Sequence, residues 1–158
     1  MQTTIAETAK ILLNSGRMLT TAESCTGGMI AAACTDLAGS SQWFERGFVT
    51  YSNEAKQELL GVPATLIDTH GAVSEPVARA MALGAMTHSH ADVAIAVTGI
   101  AGPTGGSADK PVGTVWFGFA LNGECETETR VFTGDRAAVR KATLKHAITR
   151  LNALLCLS

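Results

Sequence analysis

The stretch Thr20-Thr21-Ala22-Glu23-Ser24-Cys25-Thr26-Gly27-Gly28 decides the predicted fold, because it joins an extended segment to a helix. Residues 17–23 are predicted as a strand, and the alanine-rich residues 26–37 as a helix. Glycines in such a turn let a ligand approach the backbone, and the start of a helix offers unpaired N–H donors. The hydroxyl of Ser24 or Thr26 is then either a helix cap, which the local pattern favours, or a nucleophile.

Hydrophobic periodicity on both sides of this turn predicts alternating helices and strands. The Asn122-Gly123 pair predicts a hairpin of two antiparallel strands. Residues 64–67 receive no assignment. The predicted helices span 3–15, 26–37, 54–60, 75–88 and 135–155. Asn53, Ser74 and Asp135 are the predicted caps of the last three helices. The predicted strands span 17–23, 46–52, 92–100, 112–121 and 125–132. This order predicts one domain, residues 1–158, folded as a three-layer α/β/α sandwich with a mixed central sheet.

The composition predicts a soluble protein that associates with copies of itself. The 158 residues are 46% apolar and 16% charged, and this low charge content favours a homo-oligomer, a dimer or larger. The net charge of -2 gives no reason to expect nucleic acid or a membrane as a partner. No signal peptide and no run of 18 apolar residues is evident, and the four cysteines form no C-x-x-C pair. We therefore expect a cytoplasmic location.

Three loops that follow predicted strands form the candidate site: residues 24–28, 51–56 and 98–107. In an open α/β sheet the ligand binds outside the carboxyl ends of parallel strands, so these loops converge if their strands run the same way. Two of the loops are rich in glycine, but neither matches the P-loop or the dinucleotide-binding pattern. The sequence therefore gives no support for a nucleoside triphosphate or dinucleotide site.

Lys56 is a candidate general base, because it lies in the first turn of a predicted helix, where the helix dipole disfavours a cation. Burial would lower the pKa of this lysine further, and a neutral lysine can deprotonate a serine. The alternative is a surface lysine that pairs with Glu54 or Glu58, and the local context favours that alternative.

Other reactive or ligating side chains have simpler interpretations. Cys25 is a rival nucleophile beside Ser24, although a buried and inert thiol is the commoner case. His88 and His90 alternate near a predicted helix end, which favours exposed side chains over metal ligands. We expect no metal site and no cofactor.

Five stretches carry a resemblance to a known family. They are residues 21–28 (TAESCTGG), 43–56 (WFERGFVTYSNEAK), 70–76 (HGAVSEP), 98–106 (TGIAGPTGG) and 110–116 (KPVGTVW). These stretches resemble the CinA carboxy-terminal domain family, the nicotinamide-nucleotide amidohydrolases, in order along residues 5–155. The chain is similar to the stand-alone form, which lacks the molybdopterin-binding-like domain that precedes it in longer relatives.

The resemblance implies hydrolysis of the carboxamide of nicotinamide mononucleotide to nicotinate mononucleotide and ammonia, without a metal. It implies Ser24 as the nucleophile, Lys56 as the general base and Tyr51 as an orienting or proton-relaying hydroxyl. The backbone N–H groups of Cys25, Thr26, Gly27 and Gly28 would then bind the developing oxyanion. The predicted substrate-binding residues also include Thr98, Gly99 and Gly102.

The phosphate of such a nucleotide substrate needs a cation. Arg136 and Arg140 lie four residues apart on the last predicted helix and so share one face, and arginine can bind phosphate with two parallel hydrogen bonds. The alternative for both is a solvated helix face. Two other functions stay open: a non-catalytic nucleotide-binding or regulatory domain, linked to competence or DNA damage, and a scaffold for protein partners.

Overall fold

A mixed sheet of five strands forms the middle layer of the computed structural model, which describes residues 1–158. The strands are β1 (Leu19–Glu23), β2 (Phe44–Val49), β3 (Val93–Gly99), β4 (Thr114–Leu121) and β5 (Glu124–Val131). They lie in the order β2-β1-β3-β4-β5. β1 pairs in parallel with both β2 and β3, whereas β4 is antiparallel to β3 and β5 is antiparallel to β4. The predicted mixed sheet and the predicted hairpin are both confirmed.

Helices cover both faces of this sheet. They are α1 (Gln2–Ser15), α2 (Met29–Thr35), α3 (Asn53–Leu60), α4 (Ala64–His70), α5 (Glu75–Thr87) and α6 (Arg136–Leu157), with a short 3-10 turn at Ser40–Gln42. Apolar side chains of α1, α2 and α6 form one core on one face of the sheet. Those of α3, α4 and α5 form a second core on the other face. The predicted three-layer α/β/α sandwich is therefore confirmed.

The residues of β3 explain why the two cores differ. Val93, Ile95 and Val97 point into the larger core, while the intervening Ala94 and Ala96 point into the smaller one. Side chains alternate across a strand, so β3 presents bulk to α1 and α6 and small surfaces to α5. α5 consequently lies close to the sheet, and a Cβ added at Gly118 of β4 would be 2.7 Å from the carbonyl oxygen of Ala78.

One predicted helix cap is at a different residue, and a second lacks the expected side-chain hydrogen bond. Ser52 caps α3, because its hydroxyl accepts from the N–H of Ala55 at 3.0 Å, and Asn53 is the first helical residue. Ser74 occupies the cap position of α5 as predicted, but its hydroxyl donates to the carbonyl of Gly71 and accepts no N–H of the helix.

The remaining local predictions concern two helices. Asp135 caps α6 as predicted, with its carboxylate accepting from the N–H of Ala138 at 2.8 Å. α4 includes residues 64–67, for which no element was predicted. None of the helices combines the length and the apolar composition that crossing a bilayer requires.

The parallel strands fix where a site can form. β1, β2 and β3 run in the same direction, so the loops that follow them leave the sheet at one edge. The chain leaves β1, pairs as β2 on one side of it and later as β3 on the other. This reversal of strand order at β1 is the switch point where open α/β sheets bind ligands.

Gly84 provides a test of the close packing between α3 and α5. A Cβ at Gly84 would press against the carbonyl oxygen of Leu60 and lie 3.1 Å from its Cβ. Alanine in a helix is ordinarily favoured over glycine by about 1 kcal/mol. We expect the opposite for Gly84→Ala, a loss of about 1–3 kcal/mol in the free energy of unfolding, because the added methyl overpacks this contact. Urea denaturation measures the change.

Thr87→Ala is the control for that experiment, since Thr87 is exposed near the end of the same helix. We expect its free energy of unfolding to stay within about 0.5 kcal/mol of the wild-type value. A Gly84→Ala protein as stable as the wild type would show that α3 and α5 are not in tight contact at this point.

Candidate active site

The amine of Lys56 meets the hydroxyl of Ser24 at the edge where β1 and β2 end. Nζ lies 3.1 Å from Ser24 Oγ, 3.0 Å from the carbonyl oxygen of Thr50 and 3.1 Å from that of Tyr51. Only 1% of the Lys56 surface is exposed. The helix α3 therefore directs the long side chain of this lysine inward, to the turn that follows β1.

The surroundings of Lys56 favour its neutral form. Burial lowers the pKa of Lys56 below its ordinary value, and this desolvation is the largest influence on it. No carboxylate lies within 4 Å of its amine, so the predicted surface pairing with Glu54 or Glu58 is wrong. Two of the three neighbours are carbonyls, which only accept hydrogen bonds. A neutral amine can donate to both carbonyls and keep its lone pair for the hydroxyl proton of Ser24.

Ser24 and Thr26 do not cap the helix that follows them. α2 begins at Met29, three residues later than predicted, and Gly28 occupies its cap position without a side-chain bond. Ser24 is held instead by its backbone, whose N–H donates to the carbonyl of Val97 in β3 at 3.1 Å. Its hydroxyl is left with Lys56 and, at 3.5 Å, the carbonyl of Tyr51 as neighbours.

Glu23 supplies the helix cap that the sequence assigned to a hydroxyl. Its carboxylate accepts from the hydroxyl of Thr26 at 2.6 Å and from the N–H groups of Ile30 and Ala31 at 2.9 and 3.0 Å. Only 1% of Glu23 is exposed. The start of α2 is therefore already occupied by an anion of this chain, which leaves no place there for a substrate phosphate.

This role of Glu23 was not predicted, although one feature of the sequence indicates it. An acidic residue at the end of a buried strand must find hydrogen-bond donors, and the nearest ones belong to the helix that follows. The glycines at 27 and 28 fold the chain back so that the carboxylate of Glu23 reaches those donors. Both have positive φ, 58° at Gly27 and 105° at Gly28, a conformation that other residues rarely adopt.

Three backbone donors of this turn remain free. The N–H groups of Cys25, Thr26 and Gly28 have no hydrogen-bond acceptor within the chain. Gly27 differs, because its N–H donates to the carbonyl of Ser24 at 3.1 Å. Of the four predicted oxyanion donors, Gly27 is thus already engaged, and the other three are available.

The two arginines of α6 reach the same edge but make different contacts. Arg136 is exposed and donates to the carbonyl of Gly102 at 2.8 Å and to the hydroxyl of Tyr51 at 3.0 Å. Arg140 is half-buried and donates to the carbonyls of Cys25 and Thr26 at 3.1 and 3.2 Å. Neither arginine pairs with a carboxylate. The two arginines proposed for phosphate binding therefore have different hydrogen-bond partners.

Tyr51 differs from its predicted geometry in the same region. Its side chain is 60% exposed, and its hydroxyl is bonded to Arg136 and makes no hydrogen bond with Ser24 or Lys56. The part of Tyr51 that contacts Lys56 is the backbone carbonyl. Its phenol therefore orients an arginine, whereas its peptide group orients the lysine.

The loop after β3 closes the site from the third side. The hydroxyl of Thr98 donates to the carbonyl of Ala72 at 2.9 Å, which ties the end of β3 to the segment before α5. A Cβ on Gly99 would lie 3.1 Å from the sulfur of Cys25 and 2.7 Å from a methyl of Val115, so glycine is needed for this approach. Thr98 and Gly99 thus shape the wall behind the Ser24 turn.

Comparisons with known proteins identify the family of this chain. The family model of the CinA C-terminal domain matches residues 1–155. The chain belongs to the CinA C-terminal domain family. It is 57% identical over 137 residues to nicotinamide-nucleotide amidohydrolase PncC of Escherichia coli K12, covering 86% of this chain and 83% of that protein. It is 60% identical over 135 residues to the PncC of Enterobacter agglomerans, covering 85% and 82%.

A solved structure of the CinA superfamily shares the whole fold. The protein KP700603 of Klebsiella pneumoniae superposes with a TM-score of 0.95 at 41% identity, and the match covers 99% of this chain and 98% of that one. The two helical layers and the five-stranded sheet described above are therefore the fold of this CinA superfamily structure. The resemblance first suggested by five short stretches extends over the entire domain.

Cys25 in this CinA domain has the properties of a structural thiol. It is 5% exposed, and burial raises its pKa to about 11. The thiolate is the nucleophilic form of cysteine, so this shift makes Cys25 a poor rival to Ser24.

The two histidines considered as ligands lie apart from the site. His88 and His90 are exposed, and the ring of His88 contacts the carbonyl of Gly84 at 2.8 Å. No group of three or more His, Cys, Asp or Glu side chains in the structure is placed to hold a metal ion.

Alkylation tests the assignment of Cys25. With a pKa of about 11, the thiolate fraction of Cys25 at pH 7.5 is about 300-fold below that of an ordinary thiol of pKa ~8.5. We therefore expect iodoacetamide at pH 7.5 to label the exposed Cys156 and to leave Cys25 unmodified, as mass spectrometry of the digested protein would show. Rapid labelling of Cys25 in the folded protein would restore it as a candidate nucleophile.

Proposed function

We propose that this chain hydrolyses the carboxamide of nicotinamide mononucleotide to nicotinate mononucleotide and ammonia. The observation that carries the proposal is the buried amine of Lys56, 3.1 Å from the hydroxyl of Ser24 and without a carboxylate partner. A neutral lysine beside a serine is an arrangement that activates the serine as a nucleophile. Two relatives that are 57% and 60% identical to this chain over 137 and 135 aligned residues are named nicotinamide-nucleotide amidohydrolases.

The first half of the reaction would form an acyl-enzyme. Ser24 Oγ attacks the carboxamide carbon while its proton moves to Nζ of Lys56, which leaves an oxyanion on the tetrahedral carbon. The C–N bond then breaks, and Lys56 returns the proton to the leaving nitrogen, which departs as ammonia. The product of this half is a nicotinoyl ester of Ser24 with Lys56 neutral again.

The second half would use the same lysine. Water attacks the ester carbonyl and gives its proton to Nζ, and collapse of the intermediate breaks the bond to Ser24 Oγ. The proton returns to Oγ, and the product leaves as the carboxylic acid, which ionises. Lys56 thus acts as a base and then as an acid in each half, which requires a pKa below that of an exposed lysine.

The free N–H groups of Cys25, Thr26 and Gly28 support stabilisation of the oxyanion in both halves. Backbone donors fixed before the reaction need no reorganisation when charge develops, and each contributes on the order of 3 kcal/mol. The buried carboxylate of Glu23 keeps α2 in place behind this turn. We assign no direct contact with substrate to Glu23.

The phosphate of the substrate is assigned to Arg136. Its contacts with Gly102 and Tyr51 use two of the five guanidinium N–H donors, and the remaining three are available to an anion. Tyr51 and Gly102 hold the guanidinium in a fixed orientation, which reduces the entropy lost on binding. The 23 residues from Arg136 to Ser158 contain five lysines and arginines and no acid, so the local field favours an anion.

Ser24→Ala tests the proposal directly. We expect ammonia release from nicotinamide mononucleotide to fall by at least about 10⁴-fold, because the attacking atom is lost. Affinity for the nucleotide should stay within about tenfold, since the hydroxyl is used in bond formation. An ammonia assay and calorimetric titration of the nucleotide measure the two quantities.

Ser15→Ala is the matched control, because Ser15 is exposed at the end of α1, and it should keep full activity. A wild-type protein that binds the nucleotide and releases no ammonia would instead support the non-catalytic binding domain. An active Ser24→Ala protein would assign the nucleophile to a water molecule or another side chain.

The pH dependence tests Lys56. Because its pKa is depressed and the base must be neutral, kcat/KM should rise with pH through that depressed value and then level off. Lys56→Arg should be inactive although it keeps the charge, since guanidinium does not deprotonate in this range, and Lys56→Met should be inactive too. Lys10→Met, at an exposed lysine of α1, is the control.

The stability of the protein gives an independent check of the same pKa. Between the depressed pKa and the ordinary value of about 10.4, the unfolded chain binds more protons at Lys56 than the folded one, so the free energy of unfolding rises with pH. This rise should be absent in Lys56→Met.

An active Lys56→Arg enzyme with the wild-type pH profile would contradict the kinetic prediction and remove Lys56 from the role of base.

A further inference from the structure

We infer that Arg140 is a positioning residue for the oxyanion-binding turn and not a ligand of the substrate phosphate. The inference deepens the proposed amidohydrolase function and rests on it. Its basis is that the guanidinium donates to two successive backbone carbonyls, those of Cys25 and Thr26. These residues directly follow the proposed nucleophile.

The two contacts fix the orientation of two peptide groups. Nε lies 3.1 Å from the oxygen of Cys25, and Nη2 lies 3.2 Å from the oxygen of Thr26. The peptide bond between these residues is trans, so its N–H points opposite to its C=O. With the carbonyl of Cys25 turned towards Arg140, the N–H of Thr26 is turned away from it, and this N–H has no acceptor in the chain.

The second peptide group shows why the turn needs this support. The carbonyl of Thr26 accepts from Arg140 at 3.2 Å and from the N–H of Met29 at 3.1 Å, while the N–H of Gly27 donates to the carbonyl of Ser24. Two neighbouring carbonyls that face the same side repel each other unless a donor or cation lies between them. The forked guanidinium supplies two donors and a positive charge at once, which the single amine of a lysine cannot reproduce in the same geometry.

The charge of Arg140 also strengthens the free donor. A carbonyl that accepts a hydrogen bond from a cation is polarised, and the N–H of the same peptide group becomes a better donor. Arg140 has no carboxylate partner within 4 Å to offset this effect. Arg140 would therefore assist the reaction through the N–H of Thr26, without touching the substrate.

Arg136 and Arg140 separate the positioning role from phosphate binding. A phosphate ligand acts on nucleotide binding, so its loss should raise KM for nicotinamide mononucleotide and leave nicotinamide riboside, which has no phosphate, nearly unaffected. A positioning residue acts on the transition state, so its loss should lower kcat for both substrates. We expect the first pattern for Arg136→Ala and the second for Arg140→Ala.

The experiment measures ammonia release by wild type, Arg140→Ala, Arg140→Lys, Arg136→Ala and Arg150→Ala on both substrates. Arg140→Ala and Arg140→Lys should each lose about 10²–10³-fold in kcat on the mononucleotide and the riboside alike, with KM within about threefold. Guanidinium ion added at concentrations that leave the wild type folded and active should restore part of the rate of Arg140→Ala, and none of the rate lost by Arg136→Ala. Arg150 lies on the same helix as Arg140 and pairs with Glu126 and Glu128 of β5, so Arg150→Ala is the control and should keep both parameters.

A readout without catalysis accompanies the kinetics. The ¹⁵N–¹H resonance of the Thr26 amide should move in Arg140→Ala and stay in place in Arg150→Ala. The spectrum also shows whether each variant is folded, and Arg140→Lys replaces Arg140→Ala if the latter is not.

The outcomes separate the inference from the proposed function. A rise in KM confined to the mononucleotide in Arg140→Ala would overturn the inference and make Arg140 a phosphate ligand. Unchanged kinetics with an unmoved Thr26 resonance would overturn it as well. A wild-type protein that releases no ammonia from either substrate would overturn the proposed function itself, and with it any role of Arg140 in that reaction.

Discussion

The burial of a lysine without a carboxylate partner is the constraint on which the site depends. Removing an ammonium group from water is costly, and an unpaired one responds by giving up its proton more readily. The structure holds Lys56 with two backbone carbonyls and one hydroxyl, and all of these neighbours are neutral. The position of α3 supports this arrangement, because Gly84 lets α3 pack tightly against α5. The packing of α3 against α5 thereby contributes to holding Lys56 beside Ser24.

The turn around Ser24 is held by two opposite charges that do not pair with each other. Glu23 accepts from the hydroxyl of Thr26 and from the first turns of α2, and Arg140 donates to the carbonyls of Cys25 and Thr26. The carboxylate takes donors and the guanidinium takes acceptors, so what remains unpaired is a small set of N–H groups. Because Glu23 and Arg140 already bond other backbone groups of the turn, the N–H groups that stay free can bind a developing negative charge. The glycines at 27 and 28 permit this folding, since both have positive φ.

The sequence predicted the elements whose evidence is local. The continuous apolar run in residues 92–100, the Asn122-Gly123 turn and the cap at Asp135 each depend on a few neighbouring residues, and the strand, hairpin and cap that they predict are present in the structure. The contacts that the sequence did not predict join distant parts of the chain. Arg140 and Cys25 are 115 residues apart, and the hydrophobic periodicity of a segment does not predict a contact between such distant residues. The cap of α2 is hard to predict for a different reason, because Glu23 belongs to β1 while its carboxylate accepts from the N–H groups of Ile30 and Ala31.

The antiparallel hairpin explains why the arginines reach the site at all. β3 ends at the edge of the sheet where the Ser24 turn lies, and β4 starts at that edge, since Gly99 pairs with Val115. A single antiparallel strand would leave the chain at the opposite edge, whereas β5 returns it, with Val131 paired to Thr114. α6 therefore begins beside the loops that follow β1 and β3, which places its first turns against the carbonyls of Gly102, Cys25 and Thr26. The parallel half of the sheet provides the proposed nucleophile and base, and the antiparallel half brings the cations to them.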